Sequence, residues 1–359
     1  MPLAPTGSSW SNWRWINSLP ETHPVRRAMA ITGRVRVPPP PPEPPGLEWG
    51  IAWTASHRLI GLGHSPELKR FVLAGTAPNP LYWSDDGERW ISVPNPNGNW
   101  WYGIAYGNKR FVAVGRIGSG QNVNERAITS PDGKTWTIRN PPPPSGFDNL
   151  QAIAFGNGLF VAVGSNEGYT TPDGETWTPV TVPTRIWAGL CWSPDLKLFV
   201  AIASDTSGVL SRAMSSSDGK TWIPGVDAAT GNAFSAPYSR VCWSARAGRF
   251  VAVGTGATGM GRRAASSPDG HAWTTHPTPE GTGVGYNAVA EAGGRLVAVG
   301  SNGRVMTSSD GIAWERIAEE PLISGNWNEV VYAPERNKCL VISDSGTVAS
   351  SPPPTGGAP

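Results

Sequence analysis

The chain alternates short apolar runs with polar turns in a fixed order. Residues 111–115, for example, form an apolar run that closes on glycine, and residues 130–136 form the polar turn that follows it. Apolar runs of this length, bounded by turn residues, predict short buried strands rather than helices. The pattern therefore predicts an all-β protein with many tight turns.

The polar turn recurs six times with the form Ser/Thr-x-Asp-Gly-x-x-Trp. Its copies lie at residues 84–90, 130–136, 171–177, 216–222, 267–273 and 308–314. The turn tryptophans are spaced by 46, 41, 45, 51 and 41 residues. A period near 44 with about four strands per unit is typical of β-propeller blades.

A seventh unit lacks its last strand. Residues 328–332, 339–342 and 346–350 supply three strands, and the chain then enters a proline run. Trp49 precedes Trp90 by 41 residues, which is within the observed period. We therefore predict seven blades, with residues 47–53 closing the ring against the C-terminal strands and removing two exposed sheet edges. Residues 9–15 offer an alternative closure, but their spacing to the next strand is too long.

The chemistry of the turn explains its residues. The Asp can accept backbone N–H groups across a tight turn, the Gly supplies a positive φ, and the Trp can pack between blades. The motif resembles the Asp-box, or BNR repeat, of sialidase-like propellers. The resemblance implies that the turn aspartates are structural and lie away from the ligand face. These are Asp86, Asp132, Asp173, Asp218, Asp269 and Asp310.

Composition excludes several functional classes. The net charge of +2 is too small to predict nucleic-acid or membrane-surface binding. The sequence contains no run of 18 apolar residues, so no membrane span is predicted. The N-terminus lacks the charged and then apolar pattern of a secretory signal. Neither a phosphate-binding loop nor metal-ligand spacing is present, so we expect no cofactor and no metal. Cys191 and Cys242 occupy equivalent strand positions and are expected to be small core residues.

Three segments are predicted along the chain. Residues 46–351 form the propeller, and residues 352–359 form a tail. Residues 1–45 form an arm that is rich in tryptophan and proline, with Trp10, Trp13 and Trp15 close together. The arm is open to two interpretations, a mobile tail or a docking element that holds the propeller on a larger assembly.

A ligand is expected on the face formed by the loops between strands 2 and 3 and between consecutive blades. These loops vary most between repeats, and variable loops on a rigid scaffold often bind ligands. Aromatic residues recur just before the inner strands, where they either form a platform for sugars or peptides or pack between blades. The candidate binding residues are Trp101, Arg116, Asn122, Arg126, Trp187, Arg212, Tyr238, Arg262, Arg263, Tyr286 and Trp327.

A hydrolase is the first alternative function. The resemblance to sialidases implies three arginines, paired carboxylates and an early Arg-Ile-Pro motif. That motif is not matched here, because Arg185-Ile186 is followed by Trp187. Glycosidases need two carboxylates at a defined separation. The available carboxylates are scattered over loops: Glu125, Asp148, Glu167, Asp205 and Asp227. We therefore expect a protein that is not an enzyme.

The architecture resembles BNR-repeat proteins encoded among phage tail and spike genes. That resemblance implies a virion subunit, assembled in the host cytoplasm, whose arm at residues 1–45 docks on other virion proteins. Its propeller face would then meet a protein or a cell-surface glycan. The second alternative is an intracellular assembly factor, like the propellers that help to build photosystem II.

Overall fold

The apolar runs of the sequence form strands that assemble into four-stranded antiparallel sheets. The computed structural model describes residues 49–76, 78–116, 125–142, 149–206, 210–254, 262–279, 285–317 and 325–351. These residues form seven sheets, each the blade of a β-propeller. The fold predicted from the sequence is confirmed.

Strands are numbered in chain order and occupy equivalent places in the seven blades. The inner strands are β2 (Leu59–Ser65), β6 (Trp100–Gly107), β10 (Leu150–Gly156), β14 (Trp187–Ser193), β19 (Arg240–Ser244), β23 (Tyr286–Ala292) and β27 (Trp327–Ala333). The second strands are β3 (Arg70–Gly75), β7 (Arg110–Arg116), β11 (Leu159–Gly164), β15 (Leu198–Ala203), β20 (Arg249–Val253), β24 (Arg295–Gly300) and β28 (Lys338–Ser343). Each inner strand contacts the inner strands of both neighbouring blades, and β2 meets β27 to close the circle.

The two remaining strands of each blade lie toward the rim. The third strands are β4 (Leu81–Ser84), β8 (Ala127–Ser130), β12 (Gly168–Thr171), β16 (Ala213–Ser216), β21 (Arg262–Ser267), β25 (Val305–Ser308) and β29 (Thr347–Ser351). The outer strands are β5 (Ile91–Val93), β9 (Thr137–Arg139), β13 (Thr178–Val180), β17 (Ile223–Pro224), β22 (Ala272–Pro277), β26 (Glu315–Arg316) and β1 (Gly50–Thr54). Blades are numbered from the one that contains β2, so β1 belongs to blade 7.

The ring closes as the tryptophan spacing predicts. β1 pairs antiparallel with β29, with Gly50 opposite Ser350 and Thr54 opposite Thr347. Trp49 packs against the apolar cluster between blades 6 and 7. The alternative closing segment, residues 9–15, lies outside the described residues. The edge of β29 that it would need is occupied by β1.

The Ser/Thr-x-Asp-Gly turn is held together by its own side chains. In all six copies, the Asp Oδ1 accepts the backbone N–H groups two and three residues later, at 2.8–3.1 Å. The Ser or Thr hydroxyl accepts the N–H of the turn glycine. These bonds satisfy the donors that a tight turn exposes.

Each turn also docks on the preceding blade. The turn glycines have φ between +72° and +78°, which only glycine adopts at little cost. A Cβ on Gly174 would lie 2.9 Å from Val112 of blade 2, and one on Gly133 would lie 2.8 Å from Val72 of blade 1. Gly87 faces Leu340 in the same way, so this contact also joins blade 1 to blade 7.

Basic side chains reinforce three of these contacts. Arg70, at the start of β3, donates to the backbone oxygen of Asp132 in the next blade at 2.8 Å. Arg110 donates to the backbone oxygen of Asp173 at 2.9 Å, and Lys338 donates to the backbone oxygen of Asp86 at 3.1 Å. A side chain of one blade thus caps the turn of the next.

Blade 5 departs from the four-stranded pattern. The connection at residues 225–236 is one of the loops between consecutive blades, on the face where a ligand was expected. It contributes β18 (Val226–Asp227), which pairs parallel with β22. Phe234 is buried and stacks between Tyr238 and Trp273, with ring centroids 5.4 Å apart in both pairs. The connection therefore extends the blade and its core. Among the described residues, no helix is long and apolar enough to cross a membrane.

Two glycines with the same positive φ can separate backbone strain from packing. Gly174 and Gly158 both have φ of +74°, but no atom lies within 4 Å of the Cβ position at Gly158. We expect Gly158→Ala to cost about 1–2 kcal/mol from the left-handed backbone alone. Gly174→Ala adds an overpacking cost of about 1–3 kcal/mol against Thr129 and Val112. Urea unfolding measures both variants, and equal losses would show that the close approach to the preceding blade adds no cost.

The turn carboxylates predict a specific pH dependence. The N–H groups of Thr221 and Lys220 lower the pKa of Asp218 to about 2. Since the folded pKa lies below the unfolded value, ionised Asp218 stabilises the fold above about pH 4, and this contribution disappears as the pH falls toward 2. We expect the stability difference between wild type and Asp218→Asn, from urea midpoints, to vanish across that window. Glu315→Gln on the exposed outer strand β26 is the control, and a constant difference for Asp218→Asn would contradict the assignment.

Candidate functional site

The aromatic residues expected to form a ligand platform are buried. Each lies where an inner strand begins and packs against the preceding blade, with at most 1% of its surface exposed. They are Trp101, Trp187, Tyr238, Tyr286 and Trp327. Leu59 and Leu150 fill the same place in the other two blades and are fully buried. Of the two interpretations that the sequence left open, packing between blades is correct.

Arg126 is likewise a structural residue rather than a ligand-binding loop tip. Its side chain is fully buried between blades 2 and 3, where its Nη1 donates to both carboxylate oxygens of Glu167 at 2.5 and 2.6 Å. Its Nη2 donates to the Pro142 oxygen at 2.9 Å and to the Tyr169 hydroxyl at 3.1 Å. The pair ties the two blades together just before their third strands.

Arg212 occupies the same place in blade 4 and is also buried. Its Nε donates to the backbone oxygen of Asp205 at 2.5 Å, and its Nη1 donates to the backbone oxygen of Ser235. Arg185 from the preceding connection pairs with the Asp205 carboxylate at 3.0 Å. Burial lowers the pKa of Arg212, and the nearby Asp205 carboxylate opposes that shift. The prediction that Arg212 faces a ligand is wrong for the same reason as for Arg126.

The remaining predicted binding residues divide into two groups. Arg116 ends β7 and is exposed, and its guanidinium lies 5.8 Å from the centroid of the Trp100 ring. Asn122, the side chains of Arg262 and Arg263, and the arm residues Trp10, Trp13 and Trp15 lie outside the described residues. Their roles stay predictions.

The carboxylates considered for hydrolysis are engaged in local contacts. Glu167 and Asp205 belong to separate ion pairs, with Arg126 and with Arg185. Asp227 accepts the N–H groups of Ala229 and Thr230 at 3.1 and 3.0 Å and so shapes its own turn. The Glu125 carboxylate accepts a hydrogen bond from the side-chain amide of Asn97 at 3.3 Å. Asp148 lies outside the described residues.

The central channel offers a different set of side chains. At one level, every inner strand places an apolar residue against the channel, and together they form a ring around it. The ring is Leu62, Ile104, Ile153, Leu190, Val241, Val289 and Val330. Above the ring is a cavity of about 160 Å³ lined by Tyr102, Gln151, Arg240 and Glu329. Tyr102 and Gln151 mark the end that we call the channel mouth.

Arg240 and Glu329 form an ion pair inside this cavity. The Arg240 Nε donates to the Glu329 Oε2 at 2.9 Å, although the two residues belong to blades 5 and 7. The Arg240 Nη1 donates to the backbone oxygen of Ala188 in blade 4 at 2.7 Å. Blade 6, which lies between blades 5 and 7, carries the small Ala288 at the position equivalent to Glu329. The strand registers show the equivalence, because Ala288 pairs with Val299 and Glu329 pairs with Ile342. The arginine therefore bridges three blades.

Aromatic and basic side chains meet at the channel mouth. The Trp100 and Tyr102 rings lie 6.3 Å apart and are half-buried, in contrast to Trp101 between them. Burial raises the pKa of the Tyr102 hydroxyl, and the guanidinium groups of Arg116 and Arg58 partly offset that rise. Both arginines are exposed, so this part of the mouth can offer two cations and an aromatic surface to a ligand.

The alternation of strand positions in the sequence already points to these residues. An inner-strand position that is aromatic in five blades and leucine in two is typical of a core position. Strand residues alternate in direction, so Trp100 and Tyr102, on either side of buried Trp101, were the better candidates for exposure. Arg240 and Glu329 likewise stand out, because the same position is glycine or alanine in the other five blades.

The described residues show neither a metal-ligand cluster nor a disulfide. No group of three or more His, Cys, Asp or Glu side chains among them is placed to hold a metal ion. Cys191 and Cys242 are free and pack between neighbouring blades. Burial raises the pKa of both thiols, so a core role fits each better than a reactive one.

Comparison with solved structures finds the same fold at low sequence identity. A structure of YCF48 bound to D1 peptide superposes with a TM-score of 0.62 at 17% identity, covering 86% of this chain and 99% of that one. YCF48 from Cyanidioschyzon merolae gives 0.60 at 15% identity, covering 85% and 98%. The computationally designed protein Ika8 gives 0.54 at 10% identity, covering 84% and 98%. No protein-family model and no curated protein matches the chain.

The burial of Arg126 predicts its mutational behaviour. Arg126→Ala leaves Glu167 as an uncompensated buried charge, which costs about 3–5 kcal/mol of unfolding free energy. Arg116→Ala removes an exposed cation and should change stability by less than about 0.5 kcal/mol. The double variant Arg126→Met/Glu167→Met should recover most of the loss, because it removes both charges. If Arg126→Ala unfolds at the wild-type urea midpoint, the arginine has no structural role.

Proposed function

We propose that this propeller is a non-enzymatic scaffold that binds a segment of another protein at the channel mouth. The observation that carries the proposal is the grouping of Arg58, Arg116, Trp100 and Tyr102 on one side of the mouth. Aromatic and arginine side chains are enriched at sites of protein recognition. A protein of the same fold, YCF48, has been solved with a D1 peptide, which supports a peptide as the ligand class.

The electrostatics of the mouth favour an acidic segment. Two exposed guanidinium groups lie near the Tyr102 hydroxyl, and among the described residues neither forms an ion pair within 4.0 Å. Arginine binds carboxylates through planar paired hydrogen bonds and also stacks on aromatic rings. A segment with one or two carboxylates beside an aromatic residue therefore fits this surface best.

The kind of assembly that supplies this segment is a separate part of the proposal. The virion role inferred from the sequence requires residues 1–45 to dock on other virion proteins, whereas an assembly factor requires only the mouth. A chain lacking residues 1–45 should keep its fold and its peptide binding under either role. Loss of incorporation into particles, with peptide binding intact, would favour the virion role.

A displayed library of random peptides tests the proposed function. We expect selection on the full chain to enrich acidic peptides that contain an aromatic residue. Arg58→Ala and Arg116→Ala should each weaken a selected peptide about tenfold, which corresponds to about 1.4 kcal/mol. Higher salt should weaken binding further, since these contacts are exposed. Fluorescence anisotropy measures the affinities.

Arg246 supplies the matched control. It is an exposed arginine in the turn between β19 and β20, at the opposite end of the channel. Arg246→Ala should leave peptide affinity unchanged. If Arg246→Ala weakens binding as much as Arg116→Ala, or if the selected peptides carry no negative charge, the mouth is not the recognition surface.

A further inference from the structure

The cavity above the apolar ring has the size of one side chain. Its volume of about 160 Å³ equals that of roughly five water molecules at their liquid density. Small residues surround it at the level of the ion pair, where Gly103 and Ala152 line the wall. A sugar chain or a folded element is too large for this space. A single side chain of a segment bound at the mouth could enter it.

Polar groups in the cavity wall remain available for a ligand. Arg240 uses its Nε and Nη1 in bonds to Glu329, Ala188 and Ser239. Within the described part of the chain, the Nη2 of Arg240 and the side-chain amide of Gln151 have no hydrogen-bond partner. The Glu329 carboxylate and the Tyr102 hydroxyl belong to residues that also line the cavity, and they add an acceptor and a donor. A polar group placed between them would find donors and acceptors together.

The charges in the cavity select an uncharged ligand. Arg240 and Glu329 already neutralise each other at 2.9 Å. An added carboxylate or ammonium group would introduce a net charge into a half-enclosed space, where charge is costly to bury. An amide carries both a donor and an acceptor and adds no charge. Of the common side chains, Asn and Gln therefore fit the cavity best.

We propose that the channel cavity binds one uncharged amide side chain of the partner segment, held by Gln151 and by the Arg240–Glu329 pair over the apolar ring. The inference rests on the proposed function, because it assigns to the segment bound at the mouth a residue that enters the channel. It adds a specificity element to the electrostatic recognition by Arg58 and Arg116.

Three probes of equal size test the charge preference: propionamide, propionate and propylammonium. Methyl groups of Leu62, Ile104, Ile153 and Val289 line the cavity, so their NMR signals in the isotope-labelled full chain report its occupancy. We expect propionamide to shift these signals and to saturate them at a concentration at least tenfold lower than either charged probe. Tighter or equal binding of propionate or propylammonium would overturn the proposal, and so would the absence of any shift.

Two variants probe the cavity wall from different sides. Gln151→Leu removes the amide, and Val289→Leu fills space without touching a polar group. Each should weaken propionamide at least tenfold, while the methyl spectrum shows whether the fold is kept. Asn140→Leu, which removes an exposed amide beyond β9, is the matched control and should have no effect. Unchanged propionamide affinity in both cavity variants would place the probe elsewhere and refute the assignment.

The outcomes separate this inference from the proposed function. If selected peptides depend on Arg58 and Arg116 but propionamide does not enter the cavity, the amide inference is wrong and the mouth stays the recognition surface. If propionamide binds in the cavity but no peptide is selected, the cavity is a small-molecule site and the proposed function is wrong.

Discussion

The close packing of each turn glycine on the preceding blade is the contact on which the ring depends. The glycine needs a positive φ to form the turn and also lacks the Cβ that would collide with the neighbouring second strand. Ser84 and Asp86, as in the other copies, hold the turn in the conformation that brings its glycine to this contact. The motif therefore defines an interface between blades as much as a turn within one.

This contact also explains how the ring closes. Gly87 of blade 1 packs on Leu340 of blade 7, so the junction between the first and the last blade uses the same contact as the five other copies of the turn. Blade 7 has no copy of the turn, because its third strand, β29, is the last strand of the chain and its outer strand, β1, is the first. Trp49, which precedes β1, packs between blades 6 and 7 and takes the place of a turn tryptophan. The spacing of the tryptophans alone could predict this closure, because the same contacts between blades recur in every repeat and fix the length of the repeat.

The same regularity limits what a sequence can say about the site. Positions that repeat in all blades are committed to packing between them, which explains why Trp101 and the four equivalent aromatics are buried. Arg126 was predicted to lie in a binding loop, but its backbone oxygen accepts the Gly115 N–H. It therefore extends strand β8, and its side chain faces the next blade. Glu167 holds the equivalent place there. The sequence shows that these two residues carry opposite charges at equivalent positions of the repeat. It does not show in which direction each side chain points.

Positions that break the repeat are therefore the better guide to function. At the channel level where other blades carry glycine or alanine, Arg240 and Glu329 introduce a pair of charges that turn packing does not require. A partly buried pair of this kind contributes little net stability compared with apolar side chains of similar size. Its presence in the channel, below a basic mouth and beside polar groups without hydrogen-bond partners among the described residues, fits the proposed recognition of a partner segment. The scaffold thus separates the two tasks by position, with repeated residues holding the blades together and exceptional residues lining the channel.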